Sequence, residues 1–69
     1  MIFLDLLNSI ADDSILTIFY PTSGKRVDRL KSKAKDVPIR LIGESVEYIE
    51  PDYGTGDYYI YLKGAINRK

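Results

Sequence analysis

Hydrophobic positions open the chain in a helical rhythm. Phe3, Leu6, Leu7 and Ile10 fall at i, i+3, i+4 and i+7, the apolar stripe of a short helix, which predicts helix over residues 2–11. Ile2 and Leu4 widen that stripe, so the helix is expected to be covered on more than one side. Asp12 and Asp13 would oppose the dipole at a helix C-terminus and read instead as the turn that ends it. The rhythm then changes. Ile15 to Tyr20 is β-branched and aromatic throughout, set between Asp-Asp-Ser and Pro-Thr-Ser-Gly, the signature of a strand bounded by turn residues. Apolar side chains on both of its faces predict a central strand. The helix is expected on one face, and another layer, such as a second subunit, on the other.

Residues 25–35 carry two patterns at once. Val27, Leu30 and Ala34 sit at helical spacing among good helix formers, while Arg29, Lys31, Lys33 and Lys35 alternate with Leu30, Ser32 and Ala34. The short turn before them favours a hairpin partner, so strand is expected over residues 26–32. Pro38 keeps Val37 out of the α region, and Pro38 to Ile42 then predicts one helical turn closed by Gly43. A second hairpin follows, with strands over 46–50 and 57–63 and turn chemistry from Pro51 to Gly56. In its last strand Tyr58, Ile60 and Leu62 share one face, and Tyr59, Tyr61 and Lys63 share the other. The aliphatic pair marks the first set as core. The expected architecture is α+β: a short N-terminal helix packed on a three- or four-stranded, mostly antiparallel sheet. It forms one domain over residues 1–63, with a polar tail at 64–69.

A chain of 69 residues buries only about 60% of the surface it exposes when unfolded, and domains of that size usually lean on a disulfide, a metal or a partner. Cysteine and histidine are both absent, which removes disulfides, thiolate metal sites, the commonest metal ligand and the commonest general base. A homo-oligomer is therefore expected, and no cofactor. The apolar run at Met1–Leu7 is interrupted by Asp5 and has no basic residue before it. It is also far shorter than the ~20 residues that span a bilayer. The expectation is a cytoplasmic protein with no membrane partner.

Charge adds the next constraint. Lys25, Arg26, Arg29, Lys31, Lys33 and Lys35 face a single acid, Asp28, within residues 25–35. Glu44, Glu47, Glu50, Asp52 and Asp57 then fall within residues 44–57 with no base among them. Tyr48, Tyr53, Tyr58, Tyr59 and Tyr61 lie in or just beyond that acidic half. Segregation of this kind suits a binding surface better than a catalytic one. The net charge of zero and pI near 6.1 count against a nucleic-acid partner.

Enzyme chemistry finds little footing. The serines have no histidine to activate them and no Gly-x-Ser-x-Gly turn. Asp12 and Asp13 belong to a turn, and Glu47, Glu50 and Asp52 lack the spacing of a calcium loop. An enzyme is not expected. The turn at Thr22, Ser23, Gly24, Lys25 and Arg26 resembles an anion nest but lacks the first glycine and the hydroxyl residue of a P-loop. Tyr59 and Tyr61, with Tyr48 across the hairpin, offer rings for stacking, worth about 1–3 kcal/mol per base. Arg29 and Lys31 would complete a site for an anionic aromatic ligand. The same rings also serve sheet packing and subunit contact, which outrank ligand stacking on composition alone. The candidate ligand-binding residues are thus Thr22, Ser23, Lys25, Arg26, Arg29, Lys31, Tyr48, Tyr59 and Tyr61.

The succession Leu6-Leu7, Ile10-Ala-Asp-Asp, Leu16-Thr-Ile, Lys33-Ala-Lys-Asp-Val-Pro, Leu41-Ile, Val46, Ile49 and a final Tyr-Ile-Tyr-Leu resembles small proteins of phages and their Firmicutes hosts. The likeness covers most of the chain and carries no catalytic residue, and the chain departs from the named signal-sequestering and anti-CRISPR families. It implies a mobile-element protein acting against host defence in the host cytoplasm. The function so expected is non-enzymatic capture of a nucleotide-derived immune signal by an oligomer. The alternative is inhibition of a host defence protein through the acidic hairpin.

Overall fold

The computed structural model describes residues 1–23 and 26–65. In chain order the elements are α1 (Phe3–Leu7), β1 (Ile15–Thr22), β2 (Arg26–Lys33), a 3-10 turn (Ala34–Asp36), α2 (Ile39–Ile42), β3 (Val46–Pro51) and β4 (Tyr58–Leu62). The strands form one sheet in the order β2-β1-β4-β3. Each hairpin is antiparallel, and the two hairpins join through β1 and β4, which run parallel. The architecture is therefore α+β as expected, with a mixed sheet rather than a wholly antiparallel one. β1 is central, and residues 26–33 resolve as strand.

Strand direction determines where everything else goes. β2 and β3 occupy opposite edges of the sheet and run the same way, so the connection between them must return along the sheet as well as cross it. The 3-10 turn and α2 lie in that connection. Val37 and Pro38 keep it extended (ψ 130° and 139°) before α2 begins, and the proline holds Val37 out of the α region. α1 covers the same face, and together these segments seal one core of Phe3, Leu6, Leu16, Ile18, Ala34, Leu41, Ile60 and Leu62. Phe3, Leu16, Ile18, Ile60 and Leu62 are fully buried, and each aliphatic side chain so removed from water contributes about 1.5–3 kcal/mol.

α1 is shorter than the apolar rhythm predicts. Ile2 is extended and bridges Ser45, the Phe3 N–H donates to the Glu44 carbonyl at 2.9 Å, and the Val46 N–H donates to the Met1 carbonyl at 2.7 Å. Tertiary pairing therefore claims the residue before the helix. At the other end the Ser9 hydroxyl donates to the Asp5 carbonyl at 3.0 Å, and the helix gives way to turns at Asn8 and Ser9. Leu7 and Ile10 still pack against the core. Ile2 and Leu4, expected to widen the covered stripe, are instead 41% and 43% exposed. Ala65 is buried, so packing extends to that residue. It follows Gly64, whose φ of 90° would strain any side chain and whose Cβ position lies 3.3 Å from Pro21.

Replacing Ile60 by alanine is expected to lower the free energy of unfolding by about 2–5 kcal/mol. Lys31→Ala, at an exposed strand position, should change it by no more than ~0.5 kcal/mol. Urea titration of the two variants measures the difference.

Candidate functional site

Side chains alternate across a sheet, so everything at odd positions of β1 and β4 points away from the core. None of Thr17, Phe19, Tyr59 or Tyr61 belongs to the core cluster or to the apolar side chains packed on it. Strand register sets these residues in two rows running across all four strands. One row reads Arg29, Phe19, Tyr61, Tyr48, and the other reads Lys31, Thr17, Tyr59, Glu50. The buried side chains of the helices and the 3-10 turn, Phe3, Leu6, Ala34 and Leu41, all belong to the core on the opposite face.

Tyr48 reaches the face through an irregularity. Val46 pairs with Leu62 and Tyr48 with Tyr61, so β3 spends two steps where β4 spends one, a bulge at Glu47. Val46 and Ile49 therefore turn to the core, while Tyr48 and Glu50 turn to the open face. Strict alternation would have kept Val46, Tyr48 and Glu50 together.

The two rows differ in kind. In the first, Tyr61 stacks on Phe19 with ring centroids 4.6 Å apart and planes 8° from parallel. Tyr48 leans on Tyr61 at 5.7 Å and 46°. These are packing geometries, and they occupy the Tyr61 ring. In the second row a small residue stands between two long ones. Thr17, flanked by Lys31 on β2 and Tyr59 on β4, floors a shallow hollow of about 430 Å³ lined by Thr17, Arg29, Lys31 and Tyr59. Its volume falls within the range of small-molecule sites. Its polar groups are a hydroxyl, a guanidinium, an ammonium and a phenol, with both cations on the β2 rim.

Tyr59 is held from its far side. Its hydroxyl donates to Asp52 Oδ2 at 2.9 Å, while Asp52 Oδ1 accepts from the Gly54 N–H at 2.9 Å. The loop after β3 thus clamps the ring that walls the hollow. The Tyr59 hydroxyl, then the Gly54 N–H, hold the Asp52 carboxyl below its ordinary value. The Asp52 bond and its charge, followed by burial and the charges of Asp57 and Glu50, push the Tyr59 phenol up. Potential therefore changes sign across the face, from cations on β2 to carboxylates around β3 and its loop.

Of the residues picked out in sequence, Arg29, Lys31 and Tyr59 meet in the hollow, and Tyr48 and Tyr61 flank it along the neighbouring row. Thr22 and Arg26 pair with each other at the end of the first hairpin, where alternation puts them on the helix side. The Thr22 hydroxyl donates to the Arg26 carbonyl at 3.3 Å. They do not join the cations of the open face. Ser23 lies in the turn beyond them, and Lys25 lies outside the described residues. Thr17 escaped the sequence reading because its smallness matters only beside neighbours from other strands. A second hollow of about 310 Å³ lies on the helix side, among Tyr20, Pro21, Arg40, Leu41, Glu44 and Leu62. There the Arg40 guanidinium sits 5.9 Å from the Tyr20 ring centroid, and Glu44 lines the same hollow. Among the described residues, no helix is long and apolar enough to cross a membrane, and no group of three or more Asp or Glu is placed to hold a metal ion.

No protein-family model, curated protein or solved structure matches the chain.

The Asp52–Tyr59 bond has a defined pH window. A carboxyl lowered by folding contributes stability above its unfolded pKa and loses it as pH falls through the folded value. A phenol raised by folding contributes below its unfolded pKa and loses it as pH rises through the folded value. The clamp is therefore complete between about pH 4 and about pH 10. In Tyr59→Phe the Asp52 carboxyl is expected to titrate at higher pH than in the wild type, followed by NMR of the carboxyl carbon. An unchanged titration would mean that the bond does not form in solution.

Proposed function

We propose that the protein is a non-enzymatic binding protein that holds a small anionic, planar ligand of nucleotide type in the Thr17 hollow. One observation carries this reading: two cations of β2, Arg29 and Lys31, and a phenol of β4, Tyr59, line a single recess on the sheet face opposite the helix-covered core. A base standing on the floor at Thr17 would lie against the clamped Tyr59 ring, and base–aromatic stacking contributes about 1–3 kcal/mol. Its phosphate would then fall toward the β2 rim, where hydrogen bonds to charged groups contribute about 1.5–3 kcal/mol. The Asp52 clamp supports the reading, because a ring already immobilised loses less freedom on binding. Capture without turnover requires no general base, which suits a chain that has neither histidine nor cysteine. The likeness to phage proteins points the same way, toward sequestration of a nucleotide-derived signal.

Calorimetric titration with AMP, GMP and their cyclic mono- and dinucleotides tests the proposal. At least one should bind and be recovered chemically unchanged after heat denaturation of the complex. Arg29→Ala with Lys31→Ala should weaken that binding at least ten-fold and flatten its salt dependence. Absence of binding to every one of these nucleotides would overturn the reading.

A further inference from the structure

We infer that the open sheet face is also self-complementary, and that in the absence of ligand it closes on a second copy of the chain. The pattern of the two cross-strand rows carries this, independently of any ligand. Consider two copies face to face, related by a two-fold axis that lies between their sheets parallel to the strands. The rotation sets β2 of each copy over β3 of the other, and β1 over β4. Each row then meets itself in reverse order.

Reversal turns every mismatch on the surface into a match. In the row Lys31, Thr17, Tyr59, Glu50, Lys31 comes over Glu50 of the second copy, and the recess at Thr17 receives its Tyr59. In the row Arg29, Phe19, Tyr61, Tyr48, Arg29 comes over a tyrosine ring, a favourable cation–π arrangement, and the stacked Phe19–Tyr61 pair meets its own counterpart. Below them Lys33, paired with Ile15 on β1, lies at the end where Asp52 joins Asp57 through a 2.8 Å backbone hydrogen bond. Every contact occurs twice, as an isologous interface requires. Aligned sheets pack about 10 Å apart and rotated by ~30°, so the match is closest at the centre, where Thr17, Phe19, Tyr59 and Tyr61 stand. A rotation about an axis across the strands would instead put β2 over β2 and set cation against cation. Charge thus selects one orientation of the pair. Because Tyr59 of the second copy would fill the hollow, pairing and ligand binding exclude each other.

Analytical ultracentrifugation of the full chain over a concentration series, without nucleotide, tests this pairing. The wild type should sediment as a dimer. Lys31→Glu and Glu50→Lys should each weaken association at least ten-fold, and the double variant K31E/E50K should restore it. Both positions are exposed, and circular dichroism checks that the variants remain folded. Thr17→Trp, which fills the recess without changing charge, should be monomeric. A wild type that stays monomeric throughout, or a double variant no better than the singles, would overturn the inference. The two readings fail separately. Glu50→Lys should lose pairing and keep nucleotide binding, whereas K31E/E50K should pair and bind no nucleotide.

Discussion

The parallel pairing of β1 with β4 governs this molecule. Joining two hairpins through their first and last strands places β2 and β3 at opposite edges. The chain between those edges has to travel over the sheet, and it carries Ala34, Val37 and Leu41 with it. α1 descends on the same side, pinned at its start by the bonds of Met1 and Phe3 to Val46 and Glu44. Both covering segments being on one side, the other side is left bare among the described residues. The bareness is thus a product of connectivity and does not reflect any poverty of apolar residues, since Phe19, Tyr48, Tyr59 and Tyr61 all stand there.

A bare face on so small a domain has to be reconciled with water. Here the reconciliation is partial and patterned. The three aromatic rings of one row shelter each other, and long cations and carboxylates border the other row. Thr17 interrupts the bulk between Lys31 and Tyr59, and a recess results. The bond from Tyr59 to Asp52 links that recess to the loop after β3, so the geometry of the wall depends on a turn built by Asp52, Gly54 and Gly56. The recess joins a surface feature to a local fold, which is what a recognition site needs if it is to keep its shape before a ligand arrives.

Much of the fold was legible in the sequence. Ile15 to Tyr20 announced a central strand, the short turn before residues 26–32 favoured a hairpin partner over the helical spacing there, and Tyr58, Ile60 and Leu62 named the core face of the last strand. What stayed hidden depended on partners distant along the chain. The parallel junction has no local signature, because it joins strands whose intervening hairpins read alike in either arrangement. Val46-Glu-Tyr-Ile-Glu breaks its alternation at Tyr48-Ile49, but only the pairing of Val46 with Leu62 and of Tyr48 with Tyr61 assigns the extra residue to Glu47. The late start of α1 follows from Ser45 claiming Ile2. At the candidate site the cations and phenols were visible as types, and only the register showed that Arg29, Lys31 and Tyr59 converge while Thr22 and Arg26 turn away.

The two outer strands have a bearing on the form any assembly can take. Unpaired backbone along a sheet edge is the usual route to open-ended stacking of chains. On β2 that margin is guarded by Arg29, Lys31 and Lys33, and on β3 by the bulge at Glu47 and by Pro51, which has no N–H to offer. Lateral growth into ribbons is thereby discouraged at both margins. Contact across the broad side, by contrast, is used up once made. The proposed pairing would therefore stop at a finite particle.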